Sequence, residues 1–86
     1  MSFTGLNPGQ AVKDLRFDDY SLIVDLVDGR TISVPLVWFP RLLHATQIQR
    51  NNWQVGGGGF GIHWPDLDED LSTEGLLAGI PAVAAR

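Results

Sequence analysis

His63, Trp64, Asp66, Asp68, Glu69 and Asp70 lie within eight consecutive residues, shortly after the glycine run Gly56–Gly59. An imidazole and an indole among four carboxylates could support three kinds of chemistry. His63 could act as a general base oriented by a carboxylate. It could join Asp66, Asp68 or Asp70 in holding a divalent cation. Or the carboxylates could form a docking patch anchored by Trp64, because tryptophan is enriched among the residues that dominate binding energy. Five of the chain's ten acidic residues fall between Asp66 and Glu74, so this is where negative charge concentrates.

The first two chemistries find little further support. His44 is the only other histidine, cysteine is absent, and no Gly-x-Ser-x-Gly elbow occurs. Asp66, Asp68 and Asp70 alternate like the first ligands of an EF-hand, but the loop's sixth and twelfth places hold Leu71 and Leu77 instead of glycine and glutamate. Gly56–Gly61 has the spacing GxGxxG, yet a strand-like segment follows it where a dinucleotide fingerprint requires a helix. No catalytic residue, cofactor or metal ligand is therefore assigned. The expectation is a non-enzymatic protein-interaction module with a patch of His63, Trp64, Asp66, Asp68, Glu69 and Asp70. The alternative is a small metal- or ligand-binding domain using His63 and the acidic loop, which requires those side chains to converge on one cavity. Acidic nucleic-acid mimicry is a third reading, but five carboxylates make too short a run to carry it.

Composition narrows the partners. The net charge is −4 and the six basic residues are scattered, whereas nucleic-acid binders concentrate positive charge against phosphates. Direct DNA or RNA binding is thus disfavoured, and a small basic protein is the fitting partner. No apolar run approaches the roughly 20 residues of a membrane span, and the N-terminus lacks a basic region followed by an apolar one. A soluble cytoplasmic protein is expected. An unpaired sheet edge would allow a homodimer without requiring one.

The elements that must position the acidic stretch are legible in outline. A chain of 86 residues makes one domain: a loose arm over 1–10, a folded unit over 11–80 and a frayed tail over 81–86. Val12–Phe17, Leu22–Val27 and Thr31–Val34 read as strands of an antiparallel sheet. A two-residue Asp28-Gly29 loop would mix the faces of the hairpin. A three-residue Val27-Asp28-Gly29 loop pairs Leu26 with Arg30, Val24 with Ile32 and Leu22 with Val34, keeping the apolar side chains together. Pro35 ends the strand. Short helices are expected over about 40–45, starting at Pro40, and over about 47–52, where Thr46 and Gln49 form a capping box. Phe60, Ile62 and Trp64 alternate as one further short strand. The glycines before it suit a turn or bulge passing close to a bulky neighbour, with Trp53 and Trp64 as candidates. Asp66–Asp70 reads as a loop. Ser72 caps a helix over 73–78, with Leu71 able to staple to Leu76 and with Gly79 and Pro81 stopping it. The fold class is α+β.

Several segments carry a family resemblance: Phe39-Pro40-Arg41-Leu42, Ala45-Thr46, Arg50-Asn51-Asn52-Trp53, Gly61-Ile62-His63-Trp64-Pro65 and Leu67-Asp68-Glu69-Asp70-Leu71-Ser72, followed by Leu76-Leu77 and Gly79. In these the chain resembles the bacterial family called domain of unknown function 2442. The resemblance implies a compact α+β domain, with an N-terminal antiparallel sheet followed by short helices, and no catalytic or binding residues. Members are often encoded beside another small protein, which implies the antitoxin-like half of a two-gene pair. Some relatives carry a helix-turn-helix extension. The present chain has no room for one before Arg86, so autonomous DNA regulation is not expected.

Overall fold

The computed structural model describes residues 7–81. The order is β1 (Val12–Phe17), β2 (Ser21–Leu26), β3 (Thr31–Pro35), α1 (Pro40–Leu43), α2 (Gln47–Asn51), β4 (Gln54–Gly56), β5 (Gly61–Trp64), β6 (Glu69–Ser72) and α3 (Thr73–Ala78), with 3-10 turns at Pro8–Gln10, Leu36–Trp38 and Gly57–Gly59. The architecture is α+β, with two three-stranded antiparallel sheets, β1-β2-β3 and β4-β5-β6.

Alternation builds the first sheet. Leu22, Val24 and Leu26 are buried, and β2 pairs with β3 as Leu22–Val34 and Val24–Ile32. The Leu26 amide donates to the Arg30 carbonyl at 2.8 Å, and Gly29 takes a φ of 97°. This is the three-residue loop, in which glycine occupies the left-handed position without steric cost. Strand β1 needs a correction to strict alternation, because Val12 and Leu15 differ in parity. Its register shifts between Val12 and Asp14, so Val12 pairs with Leu26 and Leu15 with Val24. The extra residue of such a bulge lets both side chains share one face.

Residues 7–10, expected within a loose arm, instead hold a 3-10 turn beside the hairpin. The Asp28 amide donates to the Gly9 carbonyl at 3.0 Å, and the Val27 amide to the Ala11 carbonyl at 2.9 Å. The rest of that arm, residues 1–6, and tail residues 82–86 lie outside the described residues.

The helices are one or two turns long, and helices this short depend on caps and packing. Thr46 and Gln49 form both bonds of the capping box. Ser72 Oγ accepts from the Gly75 amide, and the Ile80 and Gly79 amides return to the Gly75 and Leu76 carbonyls around a left-handed Gly79. That is a Schellman ending. The two sheets meet in one core that includes Leu22, Val24, Phe39, Leu42, Ile62 and Trp64. Phe17 and Trp64 join them edge to face, with ring centroids 6.4 Å apart.

Gly57, Gly58 and Gly59 all have positive φ, which explains the glycine run. The neighbour that Gly59 approaches is Ala11, not Trp53 or Trp64: a Cβ on Gly59 would lie 3.0 Å from the Ala11 Cβ.

Candidate functional site

The acidic stretch divides between a turn and a strand. Pro65–Asp68 is the turn joining β5 to β6, while Glu69 and Asp70, expected in the loop, open β6. They alternate with the next two residues: Glu69 and Leu71 face inward, and Asp70 and Ser72 face out. A carboxylate at an inward position disguises that alternation in the sequence. Asp68 holds the left-handed position of the turn, with φ 52°, a conformation that aspartate tolerates better than most residues.

The expected patch does not survive as one surface. Trp64 is fully buried, so it anchors the core and no docking face. Its indole Nε1 donates to the Arg50 carbonyl at 3.0 Å, which satisfies the one polar atom that burial would otherwise strand. Trp38 and Trp53 are half-buried. Glu69 also leaves the surface, at 7% exposure. His63, Asp66, Asp68 and Asp70 remain accessible.

Those four do not converge. His63 and Asp70 are cross-strand partners, with Nδ1 2.7 Å from Oδ1 on the outer face of the hairpin. Asp66 instead accepts from Asn52 Nδ2 at 3.0 Å. Among the described residues, no three histidine, aspartate or glutamate side chains are arranged to hold a metal ion. The convergence on a metal ion that the alternative reading requires is not found among these described side chains. A groove of about 210 Å³ is lined by Asp70 but not His63, and otherwise mainly by apolar groups including Phe39, Leu71, Leu76 and Ile80.

Arg41, which no site reading of the sequence singled out, organises the turn from α1. It donates through Nη1 to the Asp68 carbonyl and lies 3.7 Å from the Glu69 carboxylate. Pro40 at the first helical position, which opens the helix that carries Arg41, was the available signal. Burial pushes the Glu69 carboxyl above its ordinary value of 4.5; Arg41 pulls it down, and Asp70 and Asp68 push it further up. The consequence for stability has a definite sign. As pH falls, the folded state takes up this proton before the unfolded state does, so Glu69 makes stability rise until pH passes below 4.5, where both states are protonated. Glu69→Gln should remove that rise, and Arg41→Met should move it to higher pH. Urea denaturation at intervals from about pH 4 to pH 7 would measure both.

Comparison with known proteins places this arrangement in a family. The family described as Protein of unknown function (DUF2442) matches residues 12–82. The chain belongs to that family. A crystal structure of a protein of unknown function from Rhodospirillum rubrum is similar at 36% identity and a TM-score of 0.72, over 84% of this chain and 89% of that one. The solution structure of an uncharacterized protein from Chromobacterium violaceum shares the fold at 20% identity and a TM-score of 0.70, over 84% of this chain and 68% of that one. No curated protein matches the chain. For this DUF2442 member no helix among the described residues is long and apolar enough to cross a membrane.

Proposed function

We propose that this DUF2442 domain is a non-enzymatic interaction module whose acidic β5–β6 end docks on a small basic protein, and that it works in the cytoplasm as the antitoxin-like half of a two-protein unit. One observation carries the docking role. Four of the chain's six cations are already engaged: Arg16 with Asp25, Arg30 with Asp28, Arg41 with Glu69, and Arg50 with the Leu42 and Leu43 carbonyls. Among the described residues, the carboxylates of Asp66, Asp68, Asp70 and Glu74 have no lysine or arginine nitrogen within 4.0 Å. Carboxylates without a paired internal cation attract external ones, and such charges act chiefly on encounter rate. The two-protein role rests on the family resemblance alone.

The test is affinity capture of the tagged protein at native expression level in its host, read by mass spectrometry. A single stoichiometric small basic protein is expected. Asp70→Lys combined with Asp68→Asn should slow its association roughly ten-fold and flatten the salt dependence. Asparagine is chosen at position 68 because it neutralises the charge while tolerating the left-handed backbone. Absence of any partner at low salt, or an unchanged on-rate, would count against the docking role.

A further inference from the structure

The backbone of β6 makes the docking role more specific. The Thr73 amide donates to the Phe60 carbonyl at 2.9 Å, which makes Phe60 and Thr73 a hydrogen-bonded antiparallel pair. Such pairs alternate along a ladder. In β5–β6 the bonded pairs are therefore Ile62–Leu71 and Trp64–Glu69, while Gly61–Ser72 and His63–Asp70 are the non-bonded pairs between them. The amide and carbonyl groups of Asp70 and Ser72 consequently point away from β5. Among the described residues no strand pairs with β6 on that side. The Ser72 carbonyl, as the N-cap of α3, accepts the first helical bond, whereas the Asp70 amide and carbonyl and the Ser72 amide have no partner among the turn, loop and cap bonds of the described residues. Beside this open edge lies the groove lined by Phe39, Leu71, Leu76, Ile80 and Pro81, with Ile80 62% exposed.

Resting on the docking role above, we propose that the β6 edge and its groove receive an extended basic segment of the partner, added to the sheet as a fourth strand. Strand addition takes its affinity from backbone hydrogen bonds and its specificity from alternate side chains. A residue opposite Asp70 emerges on the His63–Asp70 face, where a lysine or arginine meets an exposed carboxylate. A residue opposite Leu71 enters the apolar groove. Alternating basic and aliphatic residues satisfy both sides. Charge selects against a second copy here. A two-fold antiparallel pairing through Asp70 sets the two Asp70 carboxylates directly opposite or diagonal to each other, and like charges so placed repel.

The experiment titrates the nitrogen-15-labelled full chain with the acetylated peptide Lys-Val-Lys-Val-Lys-Val. The expected result is saturable shifts at Asp70, Leu71, Ser72 and Ile80, with slowed exchange of the Asp70 and Ser72 amides. Binding should weaken roughly ten-fold when alternate peptide amides are N-methylated, when glutamate replaces the lysines, or in the Asp70→Lys protein. No saturable binding overturns the proposal, as does indifference to N-methylation. Slow exchange at Asp70 and Ser72 in the free monomer would show the edge already covered by the chain itself. Shifts there that grow with protein concentration alone would assign it to a second copy. Either result overturns the proposal. The exposed Ile80→Asp variant separates this proposal from the docking role. Partner capture undiminished by that substitution removes strand addition and keeps docking, whereas no capture by the unsubstituted protein removes docking itself.

Discussion

Trp64→Ala is expected to destabilise the domain by about 3–5 kcal/mol, the range for deleting a large buried aromatic side chain. Domains of this kind are stable by only about 5–15 kcal/mol in total, and short chains lie toward the weaker end, so the variant should sit near its folding threshold. The indole is fully buried, meets the Phe17 ring edge to face and donates to the Arg50 carbonyl. Alanine would leave a cavity where the two sheets join and a carbonyl without its donor. Chemical denaturation checks the magnitude. Trp64→Phe keeps most of the volume and loses the hydrogen bond, so a smaller loss of about 1–3 kcal/mol is expected. If Trp64→Ala lost less than the phenylalanine variant, the core role would fail. In any partner-capture experiment, loss of binding in Trp64→Ala therefore reports unfolding, and the docking face must be mapped at Asp70 and Ile80, whose exposure makes substitution tolerable.

Why the sequence misplaces Trp64 is instructive. Phe60, Ile62 and Trp64 alternate with Gly61 and His63, which identifies the strand and its bulky face. It does not say whether that face meets solvent or a second sheet, and the adjoining carboxylates suggest solvent. The deciding contact is with Phe17, far away in sequence, and no local pattern encodes it. The β2–β3 hairpin was legible because its register depends on neighbouring residues alone. The same holds for the Thr46–Gln49 box and the Ser72 cap, whose partners lie three residues away. Strand β6 was hidden because inward-facing Glu69 breaks the apolar alternation, and its burial beside Arg41 appears only when α1 is folded against the turn. Of the expected patch, the four accessible members were legible as polar groups at or beside a turn. Their divergence was not, because Asn52 and the cross-strand placement of Asp70 direct them to different partners.

Arg50 carries the second large expected effect, from a residue that composition alone counts only as one scattered positive charge. Its Nε and Nη2 each lie 2.9 Å from a carbonyl oxygen at the end of α1, those of Leu42 and Leu43. Helix C-termini leave such carbonyls without intrahelical donors, and a guanidinium can meet two at once with fixed geometry. The same group sits 5.4 Å from the Phe17 ring centroid, and the residue's own carbonyl receives the Trp64 indole. One residue of α2 thus ties α1, β1 and β5 together. Arg50→Met, which keeps the apolar stem, should cost about 2–4 kcal/mol from lost charge-assisted hydrogen bonds and the ring contact. Arg50→Lys should recover less than half of that, because an ammonium is a point charge without the planar fork. A double-mutant cycle adds a sharper check. If the guanidinium holds α2 where the Arg50 carbonyl meets Trp64, then Trp64→Phe should cost less in the Arg50→Met background than alone, since the bond it removes is already weakened. Strict additivity would mean that the carbonyl is positioned by the α2 backbone and its Thr46–Gln49 cap, with the guanidinium contributing only its own contacts.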